Sequence, residues 1–358
     1  MTKKLVSLVL ATSVAMSMLA GCGGLGNNIT PASAAQSQAA SQSSAAGNAK
    51  LTIKLSNGAS ASSPGVVAQN STFKKLVEEA SNGTIAVQVY SDNQLGDDTK
   101  GTEAVRAGDL EMCNTSTAPL VGLVPELAIF DIPFLFNNSE VADKVIDGDI
   151  GKMLNEKLAE KGLINLAWNE NGFRDLTNSK KAVTSPSDLA GLKIRTMENQ
   201  FHLEAWKDMG ANPTPMSWTE VFTALQQHTI DGQENPIPNF YAAHIQEVNK
   251  YVTLTHHIYS PFLLLYSKAK WDTYDAATQK IISDAAAQYS KAERELNRTQ
   301  AETLQKKLVD EGCTVTELTD AQKQVFKDKT ASVWDSVKAK VGDDMITKLK
   351  AAVKTAEG

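Results

Sequence analysis

Segments with the periodicity of strands and of helices alternate along this chain from residue 51 onward. Residues 51–55 alternate apolar and polar side chains as in a strand, and apolar residues then recur at helical spacing from Phe73 to Ala80. A second strand pattern follows at 85–89. Parallel strands need a crossover of a dozen residues or more between them, and helices usually supply it. The sequence therefore predicts an α/β fold with a mainly parallel sheet.

The length of the patterned region predicts two lobes. Residues 50–358 exceed the ~250 at which a single core stops growing. The pattern at 276–310 predicts a helix that would run ~50 Å, long enough to bridge two lobes. Other elements are predicted as strands at 163–168 and 192–196 and as helices at 140–161, 320–340 and 345–354. We assign residues 50–172 with 261–300 to lobe I, and residues 173–260 with 301–358 to lobe II.

The N-terminal segment has the pattern of a lipoprotein signal. An apolar run of about 16 residues after two lysines ends in Leu19-Ala20-Gly21-Cys22, a lipobox, and the run is shorter than the ~20 residues of a spanning helix. Residues 23–49 contain no charge and cannot bury a core. We predict a signal peptide at 1–21, lipidation of Cys22 and a flexible tether at 22–49. The protein is then lipid-anchored on the extracytoplasmic side of the cell membrane. An uncleaved short anchor is the alternative.

Charge and cysteine usage narrow the class of protein further. The formal net charge is −6 and no basic cluster occurs, which argues against a nucleic-acid partner. Cys113 and Cys313 are two hundred residues apart in short apolar runs. They are expected to be buried free thiols, with a disulfide or a reactive thiol as alternatives.

No catalytic, metal or cofactor motif occurs between residues 50 and 358. The folded region lacks a G-x-S-x-G elbow, an H-E-x-x-H pair and a glycine-rich phosphate loop. His256 and His257 are adjacent, so on a strand they point to opposite faces and cannot bind one metal ion together. We therefore expect no enzyme, no metal and no cofactor.

Polar side chains at predicted strand ends are the candidate binding residues. Arg195 lies at the carboxyl end of the strand at 192–196, and Arg174 follows the strand at 163–168, so two guanidinium groups are candidates to hold a carboxylate. Structural ion pairs with local acids are the alternative. Asn235, before a proline at another strand end, has a free amide, although a simple Asn-Pro turn would explain it too. Trp218 follows Ser217 in a predicted capping box, which places it at the cleft edge.

These segments resemble the extracytoplasmic solute receptors of tripartite ATP-independent periplasmic (TRAP) transporters. The likeness runs from Leu51 to about Leu318. It rests on a series of ordered motifs: Gln94-Leu95-Gly96, Pro125-Glu126, Phe130-Asp131-Ile132-Pro133-Phe134, Asn171-Gly172-Phe173-Arg174, Gly191-Leu192-Lys193-Ile194-Arg195, Gly210-Ala211-Asn212-Pro213-Thr214-Pro215-Met216 and Asp231-Gly232-Gln233-Glu234-Asn235-Pro236.

The resemblance implies a periplasmic-binding-protein-like fold in which two lobes close by a hinge on an organic acid. By position, Arg195 is expected to pair with the ligand carboxylate, with Arg174 and Asn235 supporting the same group. Trp218 stands where the family usually places an aromatic ring over the ligand. The implied partners are the small and large membrane subunits of a cation-driven permease, and we expect a monomer.

Two further positions bear on the ligand. Ser116 aligns near a glutamate that sialic-acid receptors carry, and Asn57 ends the first strand where many members have a histidine. The resemblance thus implies a polar, uncharged distal pocket, which favours a hydroxylated or aromatic monocarboxylate or a small keto acid over a sialic acid. Two alternatives to transport are sensor input for a signalling system and a surface hydrolase that uses Glu170 and Glu234.

Overall fold

A computed structural model describes residues 49–358 of the protein. The predicted Cys22 lipidation site, the signal peptide and nearly all of the tether lie outside the described residues. The described residues form nine strands in this order: β1 (Leu51–Asn57), β2 (Ile85–Tyr90), β3 (Met112–Ser116), β4 (Leu163–Asn178), β5 (Lys193–Thr196), β6 (Asn212–Pro215), β7 (Gly232–Asn235), β8 (Tyr251–Ser267) and β9 (Thr314–Glu317).

Helices separate these strands over most of the chain. They are α1 (Pro64–Ala68), α2 (Lys75–Ala80), α3 (Asp98–Ala107), α4 (Ser139–Ile146), α5 (Asp149–Glu160), α6 (Gln200–Asp208), α7 (Trp218–Gln226), α8 (Ile237–Ala242), α9 (Ile245–Val248), α10 (Lys268–Trp271), α11 (Ala276–Asp310), α12 (Asp320–Lys329), α13 (Ser332–Val341) and α14 (Asp343–Glu357). A π-helical turn joins α1 to α2, and short 3₁₀ turns occur at Ala118–Leu120, Pro125–Asp131 and Pro186–Leu189.

The strands form one continuous mixed sheet. Its order is β2-β1-β3-β8-β4-β7-β5-β6, with β9 beside β8, and five of its eight pairings are parallel. The predicted α/β class is confirmed. The centre of the sheet differs from the prediction, because β4 continues ten residues beyond 168 and runs antiparallel to the equally long β8.

The two long central strands connect two lobes. Strand β3 pairs with the Ser267 end of β8, whereas β7 pairs with the Asn178 end of β4 and β9 with the Tyr251 end of β8. The short strands on either side are therefore attached at opposite ends of the β4–β8 ribbon. The ribbon has three register irregularities along its length, and such bulges bend and twist strands locally.

Helix α11 spans both lobes, as its predicted bounds at 276–310 anticipated. Ile282 and Tyr289 pack in the apolar cluster under β1 and β2, and Leu308, about five turns beyond Tyr289, packs in the cluster around β9 and α7. The predicted helix at 140–161 is instead two helices, because Gly148 interrupts it and caps α5. The predicted helix at 320–340 is likewise divided into α12 and α13.

The last two helices pack against segments that precede β4. Val333 and Val337 of α13 and Leu349 of α14 are fully buried in the same apolar cluster as Leu127 and Val145. The sequence analysis assigned residues 301–358 to lobe II, whereas these contacts are with segments assigned to lobe I. Cys113 and Cys313 are buried free thiols, as predicted. Within residues 49–358 no helix is both long and apolar enough to cross a membrane.

Gly232 fixes how closely the sheet packs where β4, β7 and β5 meet. A Cβ atom at this position would lie 2.2 Å from the backbone oxygen of Thr177 and 3.0 Å from the Ile194 side chain. Both neighbours belong to strands that pair with β7 beside Gly232. A side chain here would therefore push β4 and β5 away from β7, the strand that carries Asn235.

We expect Gly232→Ala to lower the free energy of unfolding by about 3 kcal/mol, because the backbone oxygen of Thr177, 2.2 Å from the new Cβ atom, cannot give way. Urea denaturation measures the change. Gly122→Ala is the control, since nothing lies within 4 Å of its Cβ position, and it should change stability by less than about 1 kcal/mol. Equal stabilities of the two variants would contradict the packing argument.

Candidate functional site

A cavity lies between the two lobes at the carboxyl ends of several strands. Including its open mouth, this cavity has a volume of about 600 Å³. Strand ends of open α/β sheets are where such folds bind ligands. All six residues that the sequence analysis proposed for ligand contact line this one cavity: Asn57, Ser116, Arg174, Arg195, Trp218 and Asn235.

Arg195 is a buried cation without an acidic partner. Its side chain lies on β5, is 3 % exposed, and donates from Nε and Nη2 to the backbone oxygen of Met216 at 2.9 and 2.6 Å. Within the described chain it forms no ion pair. Burial lowers the pKa of Arg195 to about 10, although nearby acids oppose the change. The guanidinium carbon lies 5.5 Å from the centre of the Trp218 ring. The site therefore contains a buried guanidinium that no carboxylate of the described residues contacts directly, and a bound anion would pair with it.

Arg174, in contrast, has a dedicated counter-ion. Its Nε and Nη2 form a bidentate pair with the carboxylate of Glu234, and Nη2 also donates to the Glu234 backbone oxygen at 2.6 Å. Both side chains are essentially inaccessible to solvent. The alternative of a structural ion pair is thus correct for Arg174. Its remaining nitrogen, Nη1, is buried without a hydrogen-bond partner, and the residue lines the cavity.

Glu234 is held ionised by a network that the sequence did not reveal. Burial raises its pKa, but Arg174 and a hydrogen bond from His257 outweigh that effect and lower the pKa well below the ordinary range. His257 Nε2 lies 3.1 Å from Glu234 Oε2, and burial lowers the pKa of His257. His202 lies 4.0 Å from the same carboxylate and bonds Asp131 at 3.0 Å.

The histidines and Asp131 come from three separate segments, so no spacing in the sequence joins them. The one available signal was Asp131 inside the apolar Phe-Asp-Ile-Pro-Phe run, because a buried acid needs a partner. Asn199 also bonds Asp131, at 2.8 Å, and caps α6 with its side-chain oxygen. The network therefore connects β4, β7 and β8 to the start of α6.

The lobe I wall is acidic, so the expectation of an uncharged distal pocket is wrong. Asp97 and Asp98, at the start of α3, line the same cavity as Ser116. Asp98 Oδ2 accepts a hydrogen bond from the Ser116 backbone at 3.1 Å. The prediction failed because only the positions of Ser116 and Asn57 were compared, whereas the acids come from a different turn of the chain.

One hydrogen bond crosses the mouth of the cavity. Ser217 Oγ, at the start of α7, donates to Asp97 Oδ2 at 3.1 Å. The predicted capping box at Ser217 is absent, because this hydroxyl does not bond the helix backbone. Trp218 nevertheless begins α7 and lines the cavity. The two helix starts thus lie against each other and narrow the entrance.

Comparisons with known proteins agree with this architecture. Residues 55–340 match the family described as "Bacterial extracellular solute-binding protein, family 7". The chain belongs to this family. A relative from Escherichia coli, the 2,3-diketo-L-gulonate-binding periplasmic protein YiaO, is 37% identical over 256 residues, 72% of this chain and 77% of the relative.

Two solved structures show the same fold with different ligands. The sugar acid binding protein of Advenella mimigardefordensis, in complex with galactonate, has a TM-score of 0.83 and 37% identity, covering 85% of this chain and 98% of its own. A TRAP solute-binding protein from Sulfurospirillum deleyianum, with bound succinate, has a TM-score of 0.81 and 30% identity, and the match covers 85% of this chain and 99% of that protein. The two-lobe fold and the predicted TRAP receptor class are confirmed, and the family and these neighbours are solute-binding proteins, not enzymes.

Glu170, the second acid of the hydrolase alternative, is separated from Glu234. It lines a different cavity, on the side of the ribbon that faces α11, where Arg298 Nε donates to it at 2.7 Å. Burial raises the pKa of Glu170. A glycoside hydrolase needs two carboxylates that flank the same scissile bond. These two acids instead serve two separate ion pairs.

Glu293 of α11 is a third buried acid behind the site. It is 1 % exposed, and its Oε2 accepts a hydrogen bond from the Glu170 backbone at 2.9 Å. Burial raises the pKa of Glu293 to about 8. At neutral pH the folded protein therefore holds this carboxyl protonated, whereas the unfolded chain releases the proton.

This difference makes stability depend on pH with a definite sign. Below the ordinary glutamate pKa the group is protonated in both states, and its contribution is fully present. As pH rises from there towards 8, the unfolded chain binds fewer protons than the folded one, so stability falls by up to about 1.4 kcal/mol per pH unit. Glu293→Gln keeps the acceptor oxygen but cannot titrate. Its free energy of unfolding should therefore rise relative to that of the natural protein by up to about 1.4 kcal/mol for each pH unit between the ordinary glutamate pKa and 8.

Urea denaturation of both proteins at intervals from pH 5 to pH 8 measures the difference. Glu295→Gln, an exposed position on the same helix, should leave the pH profile of the natural protein unchanged. Parallel profiles for Glu293→Gln and the natural protein would show that Glu293 is not protonated in the folded state.

Proposed function

We propose that this receptor captures an organic acid in the cavity between its lobes and delivers it to the two membrane subunits of a TRAP permease. The observation that carries the proposal is Arg195, a buried guanidinium whose only hydrogen bonds within residues 49–358 are to a neutral backbone oxygen. A buried charge without a counter-ion costs several kcal/mol, and a bound carboxylate would offset that cost. The relatives that bind gulonate derivatives, galactonate and succinate all have acid ligands by name.

The donors left free in the cavity suit one carboxylate. The contacts of Arg195 with Met216 use Nε and Nη2, which leaves Nη1, and Arg174 also has only Nη1 unpaired. Asn235 accepts from Asn239 through Oδ1 at 3.3 Å, so its amide nitrogen remains a donor. We propose that these three groups bind the carboxylate and that Trp218 covers it.

The proposed capture step includes closure of the lobes. The cavity has walls from both lobes, so a ligand that touches both would favour the closed arrangement. The bulged β4–β8 ribbon supplies the bend, and the hydrogen bond between Ser217 and Asp97 is formed across the closed mouth.

The binding role of Arg195 has a direct test. Arg195→Ala should weaken the binding of galactonate, or of whichever organic acid gives the largest thermal shift, by about 30-fold to several-thousandfold, because the ligand carboxylate loses its guanidinium partner. Arg195→Lys keeps the charge without the planar geometry and should recover only part of the loss. Calorimetry gives the dissociation constants.

Arg106→Ala is the matched control, since Arg106 is exposed on α3 and outside the cavity lining, and it should bind as the natural protein does. If folded Arg195→Ala binds within about threefold of the natural protein, Arg195 is not the carboxylate partner.

We also propose that Cys22 anchors the receptor to the membrane through lipid. The lipobox precedes a charge-free stretch whose ~27 residues would span ~30 Å on average as a coil, enough to hold the folded region clear of the lipid headgroups.

Cys22→Ala should therefore remove the protein from the washed membrane fraction as a soluble or uncleaved form. Cell fractionation and mass spectrometry of the N-terminus measure this, with Cys113→Ala as a cysteine control that stays in the membrane fraction. Normal processing and full membrane retention of Cys22→Ala would exclude the lipid anchor.

A further inference from the structure

The acidic wall of the cavity contains an acceptor that no protein group uses. Both oxygens of Asp97 already accept a hydrogen bond, Oδ1 from the Lys100 backbone at 2.9 Å and Oδ2 from Ser217 at 3.1 Å. Asp98 uses only Oδ2, for Ser116. Its Oδ1 has no hydrogen-bond donor and no cation among the described residues, although Asp98 lines the cavity.

A second free acceptor lies beside it. Asn93 donates through Nδ2 to the backbone oxygen of Gly58 at 3.1 Å, which directs the side chain into the cavity, and its Oδ1 is buried without a partner. The Cβ position of Gly58 is 2.9 Å from Asn93 Oδ1 and 3.5 Å from Asp98 Oδ1. The amide oxygen of Asn93, which can only accept, and Oδ1 of Asp98, whose pKa burial raises, therefore converge on the space that glycine leaves open.

The charges around the cavity are arranged for a single anion. Arg174 and Arg195 are the two cations in the described lining, and Glu234 already neutralises Arg174. The charged groups that remain are Arg195 and three carboxylates that form no ion pair, Asp97, Asp98 and Glu198. One ligand carboxylate has a partner in Arg195. A second would meet only acids and acceptors, at a cost in repulsion and desolvation.

We propose that Asp98, with Asn93 beside it, determines which class of acid is bound: a monocarboxylate whose hydroxyl groups donate to Asp98 Oδ1 and Asn93 Oδ1, with dicarboxylates rejected. This inference rests on the proposed function, because it takes Arg195 as the partner of the one carboxylate. The matching ligand is a polyhydroxylated acid, since hydroxyls are the donors that the two acceptors need. Succinate has no donor at neutral pH to offer them.

Erythronate and succinate test the inference at equal chain length, because both have four carbons. Erythronate carries hydroxyls on C2, C3 and C4, whereas succinate carries no hydroxyl and has a second carboxylate at the far end. The natural protein should bind erythronate at least about 100-fold more tightly than succinate. Asp98→Asn presents an amide donor of the same size. It should weaken erythronate about 10- to 100-fold and tighten succinate, so the preference for erythronate over succinate falls at least about 10-fold.

Asp109→Asn is the matched control, an exposed acid at the other end of α3, and should leave both constants unchanged. Asn93→Gly is a second variant, chosen because Asn93 has a φ of 56° that glycine tolerates. It should weaken erythronate without any gain for succinate, and it tests the acceptor pair even if Asp98→Asn does not fold. Circular dichroism and thermal melting establish folding for each variant.

The outcomes separate this inference from the proposed function. If the natural protein binds succinate as tightly as erythronate, or if folded Asp98→Asn keeps the selectivity within about threefold, the role of Asp98 is overturned while acid capture stands. If neither these acids nor any other organic acid binds, the proposed function itself fails and the inference falls with it.

Discussion

The buried ion pair between Arg174 and Glu234 is the interaction on which the site depends. Removing two charges from water is costly, and only excellent geometry with further hydrogen bonds repays it. Here the pair is bidentate, Arg174 also bonds the Glu234 backbone, and His257 bonds the carboxylate. Deleting either partner would leave a buried charge alone, at about 3–5 kcal/mol. The pair therefore fixes the relative position of β4 and β7 at the cavity wall.

The same pair explains why two arginines in one cavity have different roles. Glu234 cancels the charge of Arg174 and leaves it as a positioned donor, whereas Arg195 keeps its charge because its partner is the Met216 backbone oxygen. The site thus has several hydrogen-bond donors for a carboxylate, but only the charge of Arg195 remains to pair with one. A second uncompensated arginine would raise affinity for any dianion and lose the distinction among acids that the lobe I wall makes possible.

The sequence predicted which polar residues would line one cavity better than it predicted the sheet, for physical reasons. Strand ends converge in an α/β fold, so polar residues at the ends of β1, β3, β5 and β7 were bound to meet. The long β4–β8 ribbon was missed beyond residue 168 because both of its faces are buried, so the period-two pattern that marks a half-exposed strand is absent. Asp98 was overlooked because an acid in the first turn of a helix already has a local explanation.

The motif Asn171-Gly172-Phe173-Arg174 joins the cavity lining to a register shift of the β4–β8 ribbon. Gly172 has a φ of 114°, a backbone angle that residues with a Cβ atom rarely adopt, and it lies at a register shift of the ribbon. On one side of it Asn171 lines the cavity, and its backbone oxygen accepts from Asn297 of α11 at 3.0 Å. On the other side Arg174 joins the ion pair. A bend at Gly172 must therefore move cavity-lining groups on both sides of it, so the groups that line the cavity and the point where the ribbon bends occupy four consecutive residues.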